Sequence, residues 1–119
     1  DAQTLVDVND DLRSQGIKLY PLAASGVDYE AEFLMRVGAQ ATLGRHMFLT
    51  NDSGIGGDHQ EPVIPCYVVQ KLKHLLAYEI SSELTGTRPP VDPANIVKTT
   101  GDPMEGVCTL ESGATARVW

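Results

Sequence analysis

The chain has 119 residues, 42% of them hydrophobic and 21% charged, with nine Lys+Arg against sixteen Asp+Glu for a net charge of −7. That length suits one small domain, and the acidic balance argues against nucleic acid or an anionic membrane as the main partner, because both are bound through a basic footprint. No apolar run approaches the ~20 residues of a membrane span, and Asp1-Ala2-Gln3-Thr4 carries neither a Met nor a basic-then-apolar leader, so the chain is expected to begin inside a longer precursor.

Thr4 to Gln15 reads as a helix. Leu5, Val8 and Leu12 recur at helical spacing, Asp7, Asp10, Asp11 and Arg13 take the wet face, and Gly16 ends it. Ile17 to Ala24 is a short apolar run that predicts a strand closed by Ser25-Gly26, with Pro21 marking an edge position or the last pairing. Asp28 is placed to cap a second helix, Tyr29 to Ala41, whose first turn holds Glu30 and Glu32. Leu34, Val37, Gly38 and Ala41 form its inner stripe, and the small residues Gly38, Ala39 and Ala41 predict close approach to a sheet. Gly44 punctuates, and Met47 to Thr50 is a second strand.

A loop rich in Gly and Asp spans Asn51 to Pro65. A third helix is predicted from Tyr67 to Leu84, with Val68, Leu72, Leu75, Leu76, Ile80 and Leu84 on its core face and Gly86 as its stop. Thr87 to Trp119 shows no helical period and reads as an extended arm, with short strands at Ile96-Val97 and Val107 to Leu110. The order α-β-α-β-α joins the strands through helical crossovers, which predicts parallel pairing. Two short strands make too small a sheet to stand alone. The expected fold class is therefore α/β, a partial Rossmann-like doubly wound parallel sheet over residues 1–86 followed by an extended Pro/Gly-rich tail over 87–119. The missing strands are expected from an upstream half or another chain.

Cys66 and Cys108 lie 42 residues apart in sequence, without CxxC or zinc-finger spacing. They read either as buried free thiols or as a disulfide pinning the tail to the body. The loop side chains Asp52, Ser53, Asp58, His59 and Glu61 offer oxygen ligands for Ca²⁺, although the spacing is not that of an EF-hand. The competing reading, and the favoured one, is a turn in which Asp and Ser cap backbone amides. Such a loop follows the carboxyl end of a strand, where open α/β sheets bind ligands. With Ser25, Gly26 and Asp28 after the first strand, it is expected to contact a partner. A Ser25–His46–Asp28 hydrolase is disfavoured because Ala24-Ser25-Gly26 is not a nucleophile elbow and His46 precedes its strand. Gly54-x-Gly56-Gly57 lacks the Lys of a phosphate loop. Glu32 and Arg36 read as a surface ion pair, and His74 as a boundary residue of its helix.

Several stretches carry a family resemblance: Gly16 through Gly26, Glu32-Phe33-Leu34-Met35-Arg36, Thr42-Leu43-Gly44-Arg45, Phe48 through Gly56, Glu61-Pro62, and Ile64-Pro65-Cys66-Tyr67. Together they resemble the C-terminal half of a bacterial branch of von Willebrand factor type A (VWA) domains, over about residues 1–86. The specific part is Phe48 to Tyr67; the rest is generic α/β. Leu43 departs from the pattern, which often has a second glycine there. The resemblance implies a Rossmann-like fold and a non-enzymatic adhesion or protein-binding role in a secreted or envelope-associated bacterial protein. It also implies a metal-ion-dependent adhesion site built on a DxSxS motif, a Thr and an Asp, all upstream of the region covered. No DxSxS occurs here, so no metal-site residue is carried over, and Mg²⁺ or another divalent ion is expected only in a complete domain. The expected partner is a protein ligand or a chain that completes the sheet, with self-association as a further route. The alternative is a processed fragment or assembly subunit of a larger enzyme complex, since some VWA proteins help assemble metal-inserting or ATP-driven machines.

Overall fold

The computed structural model describes residues 2–24, 27–55, 58–59, 62, 65–101, 103–104, 107–110 and 112–117. It is a mixed α/β structure of two compact units: Asp1–Leu49 with Asp58–Gln60, and Thr50–Gly57 with Glu61–Trp119.

The first unit holds α1 (Ala2–Ser14), β1 (Leu22–Ala23), α2 (Tyr29–Ala41) and β2 (Met47–Phe48). β1 and β2 pair in parallel, Leu22 opposite Met47 and Ala23 opposite Phe48. Flanking bonds from Met47 N–H to the Pro21 carbonyl (2.8 Å) and from Leu49 N–H to the Ala23 carbonyl (2.9 Å) extend the ladder. α2 begins where its cap predicts: the Asp28 carboxylate accepts from Ala31 N–H at 2.8 Å.

The first strand is shorter than the apolar run from Ile17 suggests. Pro21 has no N–H to give, and the Leu19 N–H is already taken by the Thr42 hydroxyl at 2.9 Å. That hydroxyl also donates to the Gly38 carbonyl at 2.8 Å, so one side chain ties the end of α2 to the approach to β1. Leu43, in the next position, has φ 61°, the left-handed conformation that costs a branched side chain about 1–2 kcal/mol. Gly44 then lies so close to the Leu19 backbone that a Cβ would overlap its carbonyl oxygen. Gly38 and Ala39 are buried as expected. A Cβ at Gly38 would make only ordinary contacts with the side chains of Leu19 and Asn9, so this position does not require a glycine for space. Leu34, placed on the inner stripe by its spacing, is half exposed.

The second unit opens on a 3-10 turn, Asn51–Ser53, followed by β3 (Tyr67–Gln70), α3 (Leu72–Thr85), a second 3-10 turn at Pro93–Asn95, β4 (Ile96–Thr100), β5 (Pro103–Met104), β6 (Val107–Thr109) and β7 (Thr115–Arg117). β3 and β4 are antiparallel, with an irregularity between Val69 and Gln70. β5, β6 and β7 form a separate antiparallel sheet. Among the described residues parallel pairing is therefore confined to β1 and β2, and a doubly wound parallel sheet is not present.

Two expectations for the third helix are corrected. Tyr67–Gln70 is a strand, because Tyr67, Val68 and Val69 favour extended backbone and β4 supplies a ladder partner that local periodicity does not reveal. The apolar stripe also faces outward: Leu76, Ile80 and Leu84 are 37%, 60% and 82% exposed, while Glu79 and Ser82 are buried. Charge pairing sets this orientation. Arg88 donates to both Glu79 carboxylate oxygens, at 3.0 and 2.6 Å, and the Tyr78 hydroxyl donates to the Pro89 carbonyl at 2.7 Å. The segment after Gly86 is thereby folded back onto α3.

Cys66 and Cys108 form a disulfide with Cα atoms 5.9 Å apart. Each is 2% exposed, and the bridge joins the residue before β3 to the middle of β6. Gly101, at φ 76°, lies against it; a Cβ there would overlap the Cys66 sulfur. Among the described residues, no helix is long and apolar enough to cross a membrane.

Gly44→Ala is expected to lower stability by about 3 kcal/mol, because backbone rather than a movable side chain fills the space. Leu43→Gly should raise it by roughly 1 kcal/mol by relieving the left-handed strain. Urea titrations of both variants check the pair. Replacing both cysteines by serine should cost about 4 kcal/mol, the loop-closure value for this separation, read as a drop in the urea midpoint.

Candidate functional site

The loops expected to contact a partner can be placed in part. Ser25, Gly26 and Glu61 lie outside the described residues. Asp28 is the α2 cap, its carboxylate committed to Ala31 N–H. Asp52 forms an ion pair with Lys98 at 2.7 Å. Ser53 is 3% exposed and its hydroxyl accepts from Thr50 N–H at 2.9 Å, while the Thr50 hydroxyl accepts from Asp52 N–H at 3.3 Å. This is a reciprocal cap on the 3-10 turn. Asp58 is exposed and His59 buried. The hydroxyls of Thr50 and Ser53 thus cap backbone amides of the turn, whereas the Asp52 carboxylate pairs with Lys98.

The resemblance implies a divalent ion, and the described residues do not supply a place for one. Among them no group of three or more His, Cys, Asp or Glu is arranged to hold a metal, and Asp28 and Asp52 are engaged as above.

Of the hydrolase candidates, Ser25 lies outside the described residues and Asp28 caps α2. His46 itself is 8% exposed, lies 6.5 Å from the Phe48 ring, and its Nε2 has no hydrogen-bond partner. Burial, then the nearby Arg36 charge, push its pKa below the usual 6.5, with Glu32 opposing. It is a packed neutral imidazole.

The surfaces that stand out are apolar and helical. On α2, Tyr29, Phe33 and Leu34 are 62%, 65% and 50% exposed; on α3, Leu76, Ile80 and Leu84 form an exposed i, i+4, i+8 row. Sequence reasoning missed both, because helical spacing identifies an apolar stripe without saying which way it turns. The Tyr29/Phe33 spacing was the available signal.

Comparison with family models, with curated proteins and with solved structures found no match.

A depressed histidine pKa leaves the unfolded chain holding the proton that the folded chain refuses. Stability is therefore expected to be level above pH 6.5 and to fall as pH drops below it toward the lowered folded value. Urea unfolding at stepped pH checks this. His46→Phe should flatten the profile, and an unchanged slope in that variant would assign the effect elsewhere.

Proposed function

We propose that this chain is a protein-interaction module, the C-terminal part of a VWA-like, Rossmann-type fold whose short parallel sheet is completed by a further chain segment or a second molecule. The observation that carries the reading is the mismatch between sheet and helices. β1 and β2 contribute two residues each, yet α2 and α3 carry exposed Tyr29, Phe33, Leu34, Leu76, Ile80 and Leu84. Parallel sheets are ordinarily multi-stranded and covered on both faces, and contiguous exposed apolar side chains mark association surfaces. The quoted motif from Phe48 to Tyr67 supports the family assignment. The disulfide supports an oxidising compartment, in line with a secreted or envelope location. It weighs against an assembly subunit of a cytosolic enzyme complex. The proposed role is non-enzymatic, as the resemblance implies.

The test is sedimentation velocity and thermal unfolding of the 119-residue chain. The expected result is concentration-dependent association or a broad, weakly cooperative transition. A clean monomer with one sharp transition overturns the proposal, because such a chain needs no further strand.

A further inference from the structure

We infer that the outward face of α2 is a docking surface for a basic amphipathic segment of a partner protein; this rests on the interaction-module reading and specifies its partner. Tyr29 and Phe33 stand one turn apart, 62% and 65% exposed, with Leu34 beside them at 50%. Three large apolar side chains on one short helix are more than a scatter of single exposed residues. The charges around them are net acidic. Asp28 and Glu30 are exposed carboxylates at the start of the helix; the Glu32 side chain, 12% exposed, is neutralised by an ion pair with Arg36, 39% exposed, and the last turn holds no basic residue.

This combination selects the chemistry of the occupant. Aromatic ring faces attract Lys and Arg side chains, carboxylates beside them reward the same cations, and the apolar bodies of Tyr29 and Phe33 bury the apolar face of an amphipathic segment. The net charge of −7 steers such a segment inward and repels acidic competitors. A second copy of the chain is a poorer occupant, since it would bring like charges to the rim. The row Leu76–Ile80–Leu84 on α3 has no such excess of acid, because the exposed Lys73 and Glu83 on that helix balance.

The experiment titrates the full chain with two synthetic amphipathic peptides, one of Leu and Lys, the other of Leu and Glu. Binding is read by fluorescence anisotropy and located by amide shifts. The expected result is that the Leu/Lys peptide binds about tenfold or more tighter, shifts α2 amides and weakens with salt. Phe33→Ser, an exposed substitution that should leave the fold intact by circular dichroism, should lower that affinity about tenfold. Glu30→Lys should narrow the preference between the two peptides. Equal binding of both peptides, shifts confined to α3 or lost in Ile80→Ser, or a dimer that Phe33→Ser dissociates would each overturn the inference. If neither peptide binds while the chain still associates, this surface fails and the module reading stands. A sharp monomeric melt removes the module reading instead.

Discussion

Parallel strands of two residues each supply too few ladder bonds to hold a strand–helix–strand turn, and the Thr42 hydroxyl makes up the difference. It accepts from Leu19 N–H and donates to the Gly38 carbonyl at a position only 2% exposed. A buried hydroxyl with both functions satisfied avoids the desolvation cost that an unpaired one carries. It also fixes where the chain before β1 can run. Leu43 in the left-handed region and Gly44 against the Leu19 backbone follow from that placement, because the turn must close within two residues for β2 to reach Pro21 and Ala23.

The second unit meets the same shortage with covalent and ionic links. Its two antiparallel sheets share no ladder, and the Cys66–Cys108 bridge runs between them with Gly101 against its sulfur. On α3 the Glu79–Arg88 pair does what an apolar face usually does, holding the helix to the segment that follows it. A carboxylate on a residue only 5% exposed is tolerable only with bidentate donation of this kind. Ser82, equally buried, has a hydroxyl without a partner. On α3, then, Glu79 and Ser82 are inward while Leu76, Ile80 and Leu84 are outward, the reverse of what an amphipathic pattern predicts for those positions.

Local chemistry was legible in the sequence where it was decided locally. The Asp28 cap and both ends of α2, the end of α3 at Gly86, the parallel pairing of β1 with β2 and the amide-capping hydroxyl of Ser53 all rest on interactions spanning a few residues or on connection rules. What was not legible depends on partners distant in sequence. Tyr67–Gln70 continues a helical pattern until β4 is known to pair with it. The apolar stripe of α3 gives no direction until Arg88 claims Glu79. Ile17 to Leu19 look like strand until Thr42, 23 positions past Leu19, takes the amide. The disulfide was one of two readings because two cysteines fix a count and not a distance.

These misreadings bear on function as well as on fold. Each apolar side chain that sequence assigns to a core and the structure leaves in water is surface whose burial would stabilise by ~25 cal/mol per Å². Leu34, Leu76, Ile80 and Leu84 are all of this kind. Their helical pattern is regular, so the sequence encodes buried faces, and the described residues do not bury them. On the proposed reading a cover stabilises such a chain, and the exposed Asp28 and Glu30 beside the aromatic rings of α2 make its selection one of sign as well as of shape.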